Sequence, residues 1–381
     1  MRVVIAGGGY AGVMAAGRLA GRAGLDSVTL VDATGVQIQR TRLHQMVRGT
    51  RPRQVDLAMA LEPLGVRVVR DRVQHIGPDR LALQQGGELQ FDRLILALGS
   101  QFCVPEALAG AHRLSDPTAA RALGQAARGA AVVTVIGAGL TGLELATELA
   151  CMGASRVHLV TSGRVGGDLC PGAERSLRRR LSRLGIVLME GGRVDAVEAG
   201  SVRIDGSRHP SDVSVWTGGM RASPVVATLG APVDAQGRLR VNSRLKLEGT
   251  GVYSVGDAAF VDGKPWLKMS CAAAMPMGAH AADNILREAS GQSTLGLDLG
   301  LVMRLVGLGG GHGLVQFTDG QDRPTDRWIA GRVGHWMKEA ILGYTMLVPA
   351  LERRGLRRLY RWPRGPRRVE RHPAPVGRLY E

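Results

Sequence analysis

Two stretches of the chain, VVIAGGGYAGVMAA at residues 3–16 and VTVIGAGLTGLELA at residues 133–146, follow one plan. Each is an apolar run that breaks at three glycines and resumes as an Ala/Leu-rich segment. The glycines are Gly7, Gly9 and Gly12 in the first copy and Gly137, Gly139 and Gly142 in the second. The offset is 130 residues at all three (137 − 7, 139 − 9, 142 − 12), so the copies match in register. A buried-type strand that turns on GxGxxG into a helix is a unit built to hold a dinucleotide pyrophosphate. This chain carries two.

In the first copy, RVVIA reads as a strand, GGGYAG as a tight turn and VMAAGRLAGRAG as a helix. SVTLVD follows as a second strand ending in Asp32, twenty residues beyond Gly12 (32 − 12). Gly7 permits the sharp turn, Gly9 lets backbone approach a pyrophosphate, and Gly12 lets the helix lie close on the sheet. The helix N-terminus offers free N–H groups and partial positive charge to phosphate. Asp32 is placed to accept hydrogen bonds from an adenosine ribose.

The second copy repeats strand, turn, helix and strand, but its second strand ends VHLV-Thr161-Ser162-Gly163-Arg164, with no acid. An acid there favours a free ribose 2′-hydroxyl, and an arginine accommodates a 2′-phosphate. The cofactor pair expected is therefore FAD with NADPH or NADH. The lean is to NADPH, with Ser162 and Arg164 as contacts. The expected fold is α/β, with two Rossmann-like domains. A C-terminal segment takes up 311–381.

Composition narrows the function classes. The net charge of +16 comes almost wholly from Arg; Lys occurs only at 246, 264, 268 and 338. Residues 352–381 alone hold ten Arg against three Glu. No RNA-recognition, zinc-finger or helix-turn-helix signature accompanies this charge, so no nucleic-acid partner is expected. No run of eighteen apolar residues argues for a spanning helix. The first glycine loop begins at residue 7, which leaves no room for a signal peptide before the first strand. The expected address is cytoplasmic, with peripheral contact on the inner face of a membrane through the Arg-rich tail. Cys103, Cys151, Cys170 and Cys271 show no CxxC and no zinc spacing, and no metal is expected.

Three further motifs join the glycine turns. FDRLILALGS (91–100) reads as a strand running into a Gly-Ser turn, SDPTAARALGQAAR (115–128) as a capped helix, and GVYSVGDAAF (251–260) as a strand ending in Gly-Asp. With these in place the chain resembles the two-dinucleotide-binding-domain FAD/NAD(P)-dependent flavoproteins. Within them, GGGYAG and GAGLTGLELATELA are more similar to type II NADH:quinone oxidoreductases than to the disulfide reductases, whose CxxxxC after the first loop is absent. The resemblance implies that the NAD(P)H domain, expected at 115–239, is inserted into the FAD domain, expected at 1–114 and 240–310, that Ala97 and Gly99 close over the FAD and that Asp257 hydrogen-bonds its ribityl chain. It also implies that Glu144, the proposed catalytic residue, lies beside flavin and nicotinamide. RTRLHQ (40–45) and the Met275-Pro276-Met277-Gly278 segment depart from the quinone reductases' pattern. Arg42 and His44 are candidates to border the flavin or an acceptor. Met275 and Pro276 are candidates to meet the flavin at a helix start, since Pro276 suits a first helical turn.

The segment 334–368 mixes apolar residues with a dense Arg face: Leu351, Leu356, Leu359 and Tyr360 alternate with Arg353, Arg354, Arg357, Arg358 and Arg361. Pro349 and Pro363 are expected to limit any helix there to about three turns. Trp336, Tyr360 and Trp362 suit an interface, either a bilayer or the FAD domain itself. The function expected is an oxidoreductase that passes hydride from NAD(P)H to flavin and then to a quinone or quinone-like acceptor. The rivals are a reductase with a carrier-protein or oxygen acceptor, and a non-catalytic redox-sensing module. Sulfide oxidation is disfavoured, because no cysteine follows Cys271 to pair with one near Cys170.

Overall fold

The computed structural model describes residues 1–154, 156–354 and 360–365. In chain order the elements used below are β1 (Arg2–Ala6), α1 (Tyr10–Leu19), β2 (Ser27–Asp32), β3 (Val66–Arg70) and β4 (Arg93–Leu96). Then come α2 (Pro117–Ala127), β5 (Val133–Ile136), α3 (Leu140–Cys151), β6 (Val157–Thr161), α4 (Pro171–Arg183), β7 (Val187–Glu190) and β8 (Val213–Trp216). Last among these are β9 (Val252–Ser254), α5 (Cys271–Ala289), β10 (Leu301–Gly307), β11 (Gly313–Gly320), β12 (Pro324–Ala330) and α6 (Gly331–Arg353).

Two parallel sheets organise the molecule. The first has order β9-β4-β1-β2-β3 and the second β7-β6-β5-β8. Their central strands, VVIA and VTVI, are buried on both faces, which is why they read as continuous apolar runs rather than alternating ones. Strand β9 returns to the first sheet after the whole second sheet has been made, so one α/β unit is inserted in the other. The chain crosses between them twice, and the crossings Ser100–Phe102 and Met220–Ala222 pair antiparallel. β10, β11 and β12 form a third, antiparallel sheet, and α6 leaves its edge.

Small residues set the close packing. A Cβ on Gly278 of α5 would lie 2.1 Å from the Ala11 carbonyl, so α1 and α5 meet backbone to backbone. A Cβ on Gly124 of α2 would lie 2.5 Å from the Val47 carbonyl, which seats the 3₁₀ helix Arg40–Arg48 against α2. The capped helix at 115–128 is present, with Asp116 accepting from the Thr118 and Ala119 N–H groups at 2.8 and 2.9 Å.

Two proline-based expectations fail. Helix α5 begins at Cys271, not at Pro276, because Ser270 caps it by accepting from the Ala273 N–H at 3.3 Å. Pro276 stands at its sixth position, where its missing N–H removes one bond, toward the Ala272 carbonyl. Helix α6 likewise runs unbroken for 23 residues through Pro349. A proline inside a helix costs ~3 kcal/mol or more. Burial of Met346, Val348 and Pro349 offsets that here, and the buried Glu352 is paired with Arg18 at 2.8 Å.

Among the described residues, no helix is long and apolar enough to cross a membrane. Of the tail, Leu356, Arg357, Arg358 and Leu359 lie outside the described residues. Residues 360–365 pack on the chain itself: the Trp362 indole donates to the Asp298 carbonyl at 2.9 Å, and Tyr360 joins the cluster around Met14 and Met275.

Candidate active site

The two glycine turns have the same backbone geometry. Gly7 and Gly137 both have φ of +107°, a conformation that side chains with a Cβ rarely adopt. A Cβ on Gly12 would fall 1.8 Å from the Gly7 carbonyl oxygen, and one on Gly142 would fall 1.9 Å from that of Gly137. Gly9 and Gly139 are different: a Cβ there would meet nothing within 4 Å. The middle glycine of each turn is thus free of any packing demand from the protein. Each precedes a helix whose first N–H groups lack intrahelical partners. That is the cradle a pyrophosphate needs, and the residues fit the two dinucleotides.

Around the first cradle, Asp32 ends β2 and accepts from the N–H groups of Gly8, Thr34 and Gly35 at 2.8–2.9 Å, and from the Thr34 hydroxyl. Ala97 is buried and its carbonyl presses on Gly7, while Gly99 turns the chain with φ of +69°. Asp257 accepts from the Ser100 hydroxyl at 2.6 Å. Burial pushes the Asp257 carboxyl above its usual value, an excess that the Ser100 hydroxyl, Arg40, Arg238 and the Ser270 N–H only partly offset. A buried carboxylate in this place suits the hydroxyls of a ribityl chain. Met275 and Pro276 are both buried in the second turn of α5, and Met275 packs with Met14 and Val348. The α5 residue closest to the helix start is Cys271. Burial pushes its thiol up to about 11, and the charges of Asp257 and Glu144 both add to the rise.

Around the second cradle, the Thr217 hydroxyl donates to the Ile136 and Gly137 carbonyls, at 3.0 and 2.9 Å. Ser162 and Arg164 follow β6 at the surface. Arg164 is already engaged: its Nη2 is 2.6 Å from Glu174, which Arg178 also holds. Arg178 in turn grips Glu190 at the end of β7.

Between the cradles the structure assembles a group that the sequence does not announce. Glu144 lies at the start of the second turn of α3, with its carboxylate nearly enclosed. Its Oε1 is 2.6 Å from Nζ of Lys338 on α6 and accepts from the Gly307 N–H at 3.0 Å. Its Oε2 is 3.3 Å from Nδ1 of His44. Burial alone would raise the Glu144 carboxyl, but His44, Lys338 and the Gly307 N–H outweigh it and hold the group ionised. Lys338 is only 3% exposed. Arg42, two residues before His44, pairs with Glu339 of α6 at 2.5 Å and also donates to Gln45. On the other side, the Tyr10 and Thr41 hydroxyls lie 3.2 Å apart, tying the first glycine turn to this 3₁₀ helix. Glu144 and His44 are thus brought together and Arg42 is set one layer out. Lys338, Ser100 and Thr217 were not anticipated. For Lys338 a signal existed: it is one of only four lysines in a chain whose basic residues are otherwise arginine.

Comparison with known proteins agrees with this architecture. Residues 1–283 match the family model described as pyridine nucleotide-disulphide oxidoreductase. An NADH dehydrogenase-like protein of Mycobacterium tuberculosis is 31% identical over 363 residues, covering 84% of this chain and 88% of the relative. A demethylphylloquinone reductase of Synechocystis is 29% identical over 191 residues, 45% of this chain and 47% of that one. Among solved structures, the sulfide:quinone oxidoreductase of Aquifex aeolicus superposes with a TM-score of 0.78 at 18% identity, covering 93% of this chain and 92% of its own. That last likeness is one of fold. Twin cradles, inserted topology and family match together lead to one conclusion: the chain belongs to the pyridine nucleotide-disulphide oxidoreductase family and is an NAD(P)H-dependent FAD oxidoreductase of the type II NADH dehydrogenase-like kind.

Proposed function

We propose that the protein passes the electrons it takes from NAD(P)H to a small-molecule acceptor of the quinone class. FAD, when bound, supplies the two-electron chemistry; the chain supplies binding, orientation and charge. In this reading Gly7, Gly9, Gly12, Asp32, Ala97, Gly99 and Asp257 hold FAD, and Gly137, Gly139 and Gly142 hold the nicotinamide nucleotide. Glu144 would help to hold the nicotinamide nucleotide where the two sites meet, and its ionised carboxylate would supply negative charge there. The reading rests on one observation: Glu144 rides the helix of the second cradle, yet its carboxylate meets a histidine from the first unit and a lysine from α6. A redox-sensing module has no need of an ionised carboxylate at that junction. The quinone class is favoured by the likeness to a demethylphylloquinone reductase. The test is anaerobic titration of the yellow protein, followed by stopped-flow reoxidation with menadione, oxygen and a carrier protein. Reoxidation by oxygen or carrier that outpaces menadione would overturn the assignment.

For the donor we favour NADPH, with Ser162 and Arg164 at the 2′-phosphate. Arg164 and Arg178 are matched by Glu174 and Glu190, so the preference should be modest.

A second reading of location has its own support. Val333, Trp336, Tyr344 and Leu347 form an exposed apolar stripe along α6, with Trp336 73% exposed. Beside it a cavity of about 390 Å³ is lined by Arg42, Arg51, Arg53, Glu339 and Gly343. An apolar stripe flanked by arginines suits the surface of an anionic bilayer. Cosedimentation with phosphatidylglycerol vesicles should be lost in Trp336→Glu, and unchanged binding would refute the assignment.

A further inference from the structure

His44 is buried on the 3₁₀ helix Arg40–Arg48, and only one of its ring nitrogens has a partner. Nδ1 faces Glu144 Oε2, while Nε2 is buried and, among the described residues, has no hydrogen-bond partner. An ionised carboxylate can only accept, so Nδ1 must carry the proton and Nε2 must present its lone pair. A buried acceptor left without a donor costs free energy. Such a group in a native fold calls for an explanation.

The charges around it supply one. From α3, Glu144 and Glu148 face the imidazole; from α6, Lys338; from its own helix, Arg42. α2, which also packs on this turn, has Arg121 as its single charged side chain, and that is exposed. Burial pushes His44 below its usual value, and Lys338 and Arg42 push the same way against the two carboxylates. His44 is therefore neutral at rest. Its proton affinity is balanced between Glu144 on one side and Lys338 on the other, so one unit of negative charge arriving nearby shifts it toward the imidazolium.

We propose that His44 Nε2 is the proton store of the reaction, with Glu144 fixing its tautomer and Lys338 keeping it empty until electrons arrive. This deepens the quinone-class reading and rests on it. The balance is NAD(P)H + H⁺ + A → NAD(P)⁺ + AH₂. The nucleotide supplies hydride, and its C–H bond breaks. The remaining proton comes from bulk water, reaches the enclosed His44 Nε2 by transient opening of the junction, forms an N–H bond there, and is released by the same route to an oxygen of the acceptor as the hydride equivalent leaves. Glu144 stays ionised and stabilises the imidazolium, as the buried carboxylate beside a catalytic histidine does elsewhere. Lys338 acts through Glu144 and is a positioning residue.

Two readouts test this independently of turnover. Long-range ¹H–¹⁵N spectra of the imidazoles, with His44 assigned by its loss in His44→Gln, should show the Nδ1–H tautomer at neutral pH. In Lys338→Met the His44 titration should move up by at least about one pH unit. Finding the Nε2–H tautomer, or no shift in Lys338→Met, overturns the proposal whether or not flavin is bound. For the holoenzyme, an indicator dye follows proton uptake during anaerobic reduction by NADPH. Wild type should take up about one proton more per flavin than His44→Gln between pH 6.5 and 8. Equal uptake overturns the store. Should His44→Gln not fold, Lys338→Met replaces it, with uptake reduced because the proton is already in place. If wild type is not bleached by either nucleotide, the donor half of the proposed function fails instead, and the imidazole spectra still judge the tautomer.

Discussion

The two glycine cradles share their backbone and differ in their surroundings. Around the first, every residue of α1 from Ala11 to Leu19 is buried, covered by α5 and α6. Its Gly7 abuts main chain at Ala97, and Asp32 is engaged by three loop N–H groups. Around the second, Leu140 at the start of α3 is exposed, Gly137 abuts the Thr217 side chain, and Arg164 lies at the surface. One motif has been set in an enclosed site and in an open one. An enclosed cradle suits a cofactor that stays, and an open one suits a nucleotide that comes and goes at each turnover, in line with the roles proposed above.

The largest effects should come from removing the glycine at which each helix meets its turn. Gly12→Ala places a methyl group 1.8 Å from a carbonyl, and Gly142→Ala one 1.9 Å from its counterpart. Each should cost more than ~4 kcal/mol locally. Flavin content separates them: Gly12→Ala should be purified colourless, and Gly142→Ala should keep its flavin but no longer be bleached by nucleotide. A colourless Gly142→Ala alongside a yellow Gly12→Ala would reverse the roles of the cradles.

Next in size is the junction between them. Glu144→Ala leaves Lys338 buried without its carboxylate, which costs about 3–5 kcal/mol. Denaturant melts should show this, and adding Lys338→Met should recover part of it. A double variant no more stable than Glu144→Ala would mean the pair holds nothing together.

A smaller effect is expected with pH. His44 has a lower proton affinity folded than unfolded, so below pH ~6.5 the unfolded chain gains a proton that the folded one resists. Its share of stability is complete above that value and falls as pH drops, by up to ~1.4 kcal/mol per pH unit. Glu144, also depressed, adds its loss at lower pH. The melting temperature of His44→Gln should be flatter between pH 6.5 and 5.

The smallest change is expected at the open rim. Arg164→Ala should lower the NADPH-to-NADH ratio of kcat/KM by about fivefold or less, since a partly screened surface charge contributes no more than ~1 kcal/mol. An unchanged ratio would remove the 2′-phosphate from the account.

Much of this was legible in the chain. The strands showed as apolar runs, the turns as glycines at fixed offsets and the cap of α2 as Asp116, because each depends on residues within a few positions. The site was legible in part. Glu144 stood out by its place after Gly142, and His44 by its place after β2, but nothing local joined them. Lys338 lies 194 residues beyond Glu144 (338 − 144), and a lysine on a helix reads as solvated until burial says otherwise. Pro276 and Pro349 misled for the converse reason: the first reads locally as a helix start and the second as a stop, and the Ser270 cap and packing against α1 overruled them.

By itself the sequence determined two in-register nucleotide cradles and the α/β layers that bear them, since backbone conformation and short-range periodicity are encoded where they act. Only the tertiary structure decided that a carboxylate, an imidazole and an ammonium group from three distant segments share one dry junction. Their energies depend on mutual distance and exclusion of water, and neither quantity exists until the chain has folded.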